Sequence, residues 1–257
     1  VVTALVLDCD GVLADTERDG HRVAFNRMFA ELGVPLEWSV ETYRDKLRIA
    51  GGKERMASEL TPEFVRANGL PEDPEGQAEL IARWHRRKTE IYTQMVQEGL
   101  LPPRPGVTRI ITEAQDAGWK LAVASTSAEP SVLAILRQAV GPERAARFDA
   151  VLAGDVVPAK KPAPDIYLMA LDRLGTDPAS TLVVEDSRNG LLAATSAGLR
   201  CVMTVNDYTR DEANDEAVLV VSSLGDPGGE RTEVIANRGS AQPGAYITLT
   251  DLQHCLD

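Results

Sequence analysis

Two carboxylates separated by one residue, Asp8 and Asp10, stand where the apolar run Ala4, Leu5, Val6, Leu7 gives way to Gly11. A short continuous apolar run without polar alternation reads as a strand buried on both faces of a parallel sheet, and ligands of such sheets bind beyond the carboxyl ends of the strands. A nucleophile, an acid and a metal ligand can share that loop. Carboxylates so close repel, so one is expected to be ionised and the other able to hold a proton unless a metal intervenes. An ordinary strand-to-helix turn, with Asp satisfying backbone donors, is the alternative for an isolated Asp. Asp-Cys-Asp-Gly directly after an apolar strand argues against it.

Three more strand ends carry polar groups. Ser125, Thr126 and Ser127 follow the apolar run Leu121 to Ala124, Lys161 follows a strand and loop, and Glu185 with Asp186 follow Leu182 to Val184. Singly, these read as a helix cap, a solvated charge and a turn; parallel strands bring them together with Asp8 and Asp10. A carboxylate nucleophile cannot approach a phosphate dianion unless cations and donors surround the phosphoryl oxygens, and Lys161 and Ser125 supply these. Asp8, Asp186 and a backbone carbonyl offer the oxygen-rich, partly hydrated shell that Mg2+ prefers.

These groups need a scaffold. Thr16 can cap a helix with Glu17 in its first turn, and Ala24, Phe25, Met28, Phe29 and Leu32 recur at helical spacing up to Gly33. Ser39 can cap the helix VETYRDKLRIA, residues 40–50, which meets Gly51 and Gly52. A short helix over 53–60 follows, Thr61-Pro62 opens another, and residues 74–98 form one long amphipathic helix. With no convincing strand, residues 16–102 read as a helical cap inserted into a core made of 1–15 and 103–257. Beyond Pro105, helices and strands alternate (helices 107–117, 131–140, 164–174 and 190–197; strands 121–124, 150–153, 182–184, 201–205 and 218–221), the pattern of an α/β fold with a parallel sheet and right-handed crossovers. In the Gly-rich, polar stretch after Gly225 the one strand signal is 246–249.

The 257 residues suffice for two modules, and the formal net charge of −12 argues against nucleic-acid or anionic-membrane partners, which are held by Lys and Arg. An anionic substrate then needs a local basic pocket. Cys9, Cys201 and Cys255 match neither a disulfide framework nor a zinc site, which points to a reducing compartment. Cys9, turned away from its flanking aspartates by strand alternation, reads as a small buried hydrophobe. No stretch approaches the ~18 apolar residues of a membrane span and none resembles a signal peptide, so a soluble protein is expected; the expected state is a monomer. Only seven residues precede Asp8, all needed for the first strand, so any organelle-targeting segment is expected to be absent from this chain.

In this order the motifs DCDGVLADT, VASTS, KKPAPDIY and VVEDSRNG resemble the haloacid dehalogenase superfamily of phosphotransferases over nearly the whole chain. The resemblance implies a Rossmann-like core with a cap after the first motif. It further implies that Asp8 attacks phosphorus to form an aspartyl-phosphate, while Asp10 protonates the leaving oxygen and then activates water. Ser125 and Lys161 would hold phosphoryl oxygens. Mg2+ would bind Asp8, the Asp10 carbonyl and Asp186, with Glu185 a direct ligand or one step behind. Because a halide-removing member would lack the Asp10 acid, its presence indicates a phosphatase or phosphomutase.

The cap selects the substrate. Gly51, Gly52, Lys53, Glu54 and Arg55 combine two permissive backbone positions with two cations and suit a second phosphate, or else a helix end followed by an ordinary charged helix. His85 and Lys88 share one helix face, although the run from Arg83 to Lys88 also reads as solvated. The cap motifs ETYRDKL, GGKERM and WHRRKTE resemble the xylulose-1,5-bisphosphate phosphatase branch of the superfamily in its plant and algal form, which repairs Rubisco inhibition and would sit in the chloroplast stroma; a bacterial cytoplasm is the other location. That resemblance implies substrate contacts from Glu17, Gly51, Gly52, Lys53, Glu54, Arg55, His85, Lys88, Ser125, Thr126 and Ser127 and a small-molecule sugar bisphosphate as partner; from the domain layout, cap closure is expected to exclude water. The competing expectations are a β-phosphoglucomutase-like sugar phosphomutase, a phosphoglycolate-type phosphatase, and a noncatalytic redox-sensing or interaction protein using the scaffold and Cys9.

Overall fold

The structure, a computed structural model, describes residues 3–49 and 51–257; Val1, Val2 and Ala50, the expected last residue of the second helix, lie outside the described residues. The chain divides into two compact units, one of Val1–Thr16 with Leu101–Asp257 and one of Glu17–Leu100.

The first unit is a seven-stranded sheet. Its strands are β1 (Ala4–Leu7), β2 (Lys120–Ala124), β3 (Ala150–Leu152), β4 (Thr181–Glu185), β5 (Arg200–Thr204), β6 (Leu219–Val221) and β7 (Val234–Asn237), in the order β3-β2-β1-β4-β5-β6-β7. All neighbours are parallel except β6 with β7. Val6, Ala122, Val183 and Cys201 sit in the apolar core that helices close over the sheet, as the unalternating apolar runs require. Those helices are α6 (Val107–Asp116), α7 (Glu129–Ala145), α8 (Asp165–Leu174) and α9 (Arg188–Ser196), and a last helix, α10 (Leu249–His254), follows β7. Helix α7 is interrupted at Gly141, whose φ of 79° precedes Pro142.

The tail departs from expectation. Residues 246–249 are not a strand: Thr248 accepts from the Asp251 amide and starts α10, while the Tyr246 ring lies 4.9 Å from the Arg109 guanidinium. The strand of the tail is β7. Val234 and Ile235 are exposed there, so β7 is held by backbone pairing with β6 and has no alternating apolar face to betray it.

The second unit is helical: α1 (Arg22–Glu31), α2 (Val40–Leu47), α3 (Gly52–Ala57), α4 (Pro62–Ala67) and α5 (Pro74–Gln97). Ser39, Thr61 and Asp73 each accept the N–H that starts the next helix. Its core is aromatic. Trp38 packs 4.8 Å from Phe25 and edge-on 5.1 Å from Phe29, and the Asn26 amide clamps the Trp38 backbone from both sides at 2.9 and 2.8 Å. Each such ring contributes about 2–3 kcal/mol by burial. Thr16 does not cap α1; residues Thr16–His21 form a wide turn, and its hydroxyl is spent on Asp10. Among the described residues no helix is long and apolar enough to cross a membrane.

Candidate active site

At the end of β1 the chain turns at Gly11, whose φ is 77°. A Cβ there would lie 1.9 Å from Asp186 Oδ2, so only glycine lets the Asp8–Asp10 loop and the end of β4 meet. Gly190, in the first turn of α9, does the same for the next carboxylate, since a Cβ would fall 1.9 Å from Glu185 Cδ.

The loop brings Asp8, Glu185 and Asp186 together, with one oxygen of each within 4.8 Å of the others, and all three are buried. One ammonium faces them. Lys161 Nζ donates to Asp8 Oδ1 at 2.6 Å, Glu185 Oε1 at 2.6 Å and the Ala124 carbonyl at 2.8 Å. Burial would lower the Lys161 pKa, but the two carboxylates more than reverse that and hold it charged above its ordinary 10.5. The cations present do not balance three carboxylates: burial raises Asp8 to about 7, Lys161 notwithstanding, and burial with Glu185 and Asp8 nearby raises Asp186 well above 3.8, Arg104 notwithstanding.

The oxygens are not equally committed. Glu185 takes Lys161 and the Tyr167 hydroxyl on Oε1, at 2.6 Å each, and the Asp186 amide on Oε2 at 3.1 Å. Asp8 gives Oδ1 to Lys161, and Asp186 gives Oδ2 to the Asn206 amide at 2.9 Å. Each keeps its second oxygen for a cation. An all-oxygen, anionic, cation-deficient cluster has the chemistry that Mg2+ selects, and it fits Asp8 and Asp186 as ligands with Glu185 tying the lysine.

Asp10 faces hydroxyls. Thr16 donates to its Oδ1 at 2.7 Å, Ser127 to Oδ2 at 2.6 Å and Ser125 to Oδ2 at 3.4 Å, while the Ser125 hydroxyl accepts the Ser127 amide. Ser125 is buried and Thr126 exposed. Cys9 is fully buried and burial pushes its thiol well above 9, which makes it the inert hydrophobe expected from the sequence.

The helical unit gathers a second charged set. Tyr43, buried, donates to Glu17 Oε2 at 2.7 Å and accepts from Arg55 at 3.2 Å. Lys88 is buried too: its ammonium contacts His21 Nδ1 at 2.8 Å and lies 4.7 Å from the Phe25 ring centre. Burial and Arg55 lower its pKa to about 8, with Glu17 opposing; burial and Lys88 keep His21 neutral, and the same two causes lower His85. The basic run on α5 is therefore divided. Arg83 and Arg86 are solvated, while Lys88 points inward in phase with Trp84 and Ile91. His85 lies 3.5 Å from where a Gly52 Cβ would stand, and Gly51, at φ 93°, lies beneath the Glu54 carboxylate. Lys53 and Glu54 are exposed, and their charges act on His85.

Sequence reasoning missed four residues. Tyr167 and Tyr43 carry apolar-face periodicity and hide their hydroxyl roles. Asn206 follows β5, a strand end that the polar-group argument overlooked because the residue is uncharged. Arg104 stood out only as an arginine among prolines; it donates to the carbonyls of Gly11, Thr204, Val205 and Ser222, tying the reactive loop to the ends of β5 and β6.

Comparison with known proteins agrees with this geometry. The family description of haloacid dehalogenase-like hydrolases matches residues 2–198. A CBBY-like protein of Arabidopsis thaliana is 45% identical over 90% of this chain and 72% of its own length. The crystal structure of a mutant of CbbY from Rhodobacter sphaeroides in complex with xylulose-(1,5)bisphosphate superposes with a TM-score of 0.63 at 41% identity, covering 87% of this chain and 95% of that one. A putative β-phosphoglucomutase from Thermotoga maritima gives 0.67 at 28% identity, covering 86% and 94%. The chain belongs to the haloacid dehalogenase-like hydrolases and is an enzyme of their phosphatase kind.

Proposed function

We propose that the protein is a Mg2+-dependent sugar-bisphosphate phosphatase that works through an aspartyl-phosphate on Asp8 and hydrolyses xylulose 1,5-bisphosphate to xylulose 5-phosphate and phosphate. The observation that carries the reaction is the lodging of Lys161 between Asp8 and Glu185, 2.6 Å from each, beside an Asp10 ringed by hydroxyls. An Asp8 oxygen attacks phosphorus as the ester P–O bond breaks, and Asp10 gives its proton to the departing sugar oxygen. Asp10 then takes a proton from water, whose oxygen attacks phosphorus, releasing phosphate and restoring Asp8. Lys161 and Ser125 balance the phosphoryl charge. Bound Mg2+, held by Asp8, Asp186 and the Asp10 carbonyl, would supply the positive charge the cluster lacks.

The substrate reading is supported by the ligand of the Rhodobacter sphaeroides neighbour and by the charged set on the helical unit. Arg55 and Lys88 offer cations for a second phosphate, with Glu17, His85, Gly51, Gly52, Lys53 and Glu54 as further contacts to sugar or phosphate and Thr126 and Ser127 contributing from the sheet unit. The resemblance to plant and algal relatives supports a Rubisco-repair role in the chloroplast stroma.

Phosphate release with Mg2+ from xylulose 1,5-bisphosphate, ribulose 1,5-bisphosphate, β-glucose 1,6-bisphosphate and 2-phosphoglycolate, with Asp8→Asn as blank, tests the proposal. Selective release from the xylulose compound is expected. Equal rates on all four would reduce the reading to a broad phosphatase, and isomerised glucose phosphate without phosphate release would replace it by the mutase.

A further inference from the structure

The geometry points to Asn206 as a positioning residue that aims Asp186 at the cation. Its amide is locked by its own turn: Oδ1 accepts the Tyr208 and Thr209 N–H groups at 2.8 and 3.2 Å, while the Asn206 N–H is taken by Thr209 Oγ1 at 3.1 Å. With the oxygen so occupied, the nitrogen side of the amide has one orientation, and it donates to Asp186 Oδ2 at 2.9 Å. The side of the carboxylate so engaged is also the side walled by Gly11, where a Cβ would meet Asp186 Oδ2 at 1.9 Å and Asn206 Nδ2 at 3.1 Å. Asp186 is thus gripped through Oδ2 between a glycine and a fixed amide, while its carboxylate converges with those of Asp8 and Glu185. Partners of this kind, behind a metal ligand, set its orientation and typically govern affinity 10- to 100-fold.

This inference rests on the Mg2+ reading above, and the test separates the two. Mn2+ binding to the metal-free protein is followed by the loss of its solution electron paramagnetic resonance signal, alongside thermal unfolding in EDTA. Asn206→Ala is compared with Thr209→Val, which loosens the same turn but leaves the amide facing Asp186. Asn206→Ala is expected to weaken Mn2+ binding roughly 10- to 100-fold, while Thr209→Val binds within about twofold of wild type even where both variants lose similar thermal stability. Wild-type affinity in Asn206→Ala, or an equal loss in Thr209→Val, overturns the positioning role while the metal site stands. Failure of the wild type itself to bind Mn2+ overturns the metal reading and this inference with it.

Discussion

Replacing Asp8 by Asn in the metal-free protein should stabilise it by about 3 kcal/mol more at pH 8 than at pH 5. Burial lifts the folded-state pKa of Asp8 from 3.8 to about 7 even with Lys161 at 2.6 Å, because Glu185 and Asp10 add like charge. In the unfolded chain Asp8 has lost its proton by pH 5, whereas in the folded protein it keeps it until about 7. The folded state thus holds more protons across that window, and stability falls as pH rises through it. The cost is absent below 3.8 and complete above about 7, amounting to about 4 kcal/mol, of which ~3 kcal/mol falls between pH 5 and pH 8. His21 pulls the other way, because burial lowers its folded pKa well below 6.5 and stability rises with pH through that range; present in both proteins, it cancels in the difference. Urea unfolding of wild type and variant in EDTA at the two pH values measures the quantity. Mg2+ at a hundred times its Kd should then stabilise wild type by about 2.7 kcal/mol and the variant by less. A wild-type-minus-variant difference independent of pH, or one that moves in favour of wild type as pH rises, would refute the argument that burial outweighs the lysine.

Asp10→Asn should abolish turnover while leaving Mn2+ affinity near wild type, since only the carboxyl acid is lost; wild-type-like turnover would remove Asp10 from the proton path. Gly190→Ala should destabilise by about 1–3 kcal/mol through a Cβ driven into Glu185 and should also lower kcat by displacing Lys161, read by urea unfolding and by phosphate release. Tyr43→Phe should raise KM for the bisphosphate by roughly tenfold, about 1.4 kcal/mol, with kcat little changed, because its hydroxyl sets Glu17 and Arg55. Lys88 titrates at about 8 when folded and 10.5 when unfolded, so the unfolded chain holds more protons in between and stability should rise with pH across that range, by roughly 3 kcal/mol; Lys88→Met should flatten the rise in urea titrations.

What the sequence disclosed is what periodicity and strand ends encode. Asp8 and Asp10 stood out because a parallel strand has no polar alternation to hide a carboxylate at its end, and the 24-residue α5 announced itself through Leu80, Trp84, Ile91 and Met95. Lys88 could have been separated from its basic neighbours by the same rule, since it falls four residues after Trp84 and three before Ile91. By residue type alone it belonged to a solvated run, and its burial followed only from phase. Thr16 had two physically sound uses, capping a helix or holding Asp10, and nothing local decides between them; the choice is made by the loop that Gly11 permits. β7 carried no signal because its stability is backbone pairing, and Asn206 none because an uncharged side chain acquires its role from the carboxylate opposite.

On a chain of net charge −12, the proposed recognition of an anion would depend on where cations are buried and not on their number. A surface lysine on so acidic a chain would be screened and outvoted by its neighbours, whereas a buried ammonium acts in a medium where its field is stronger. Lys161 and Lys88 both take that course, yet with opposite surroundings. Lys161 sits among carboxylates and stays charged; Lys88, with aromatic rings, neutral His21 and Arg55 around it, is held at about 8 because burial outweighs the opposing charge of Glu17. The first is a permanent counter-charge to the reactive carboxylates. The second is poorly compensated until an anion arrives, which would raise its pKa again, so in the proposed function the free energy of burying Lys88 becomes affinity for a second phosphate.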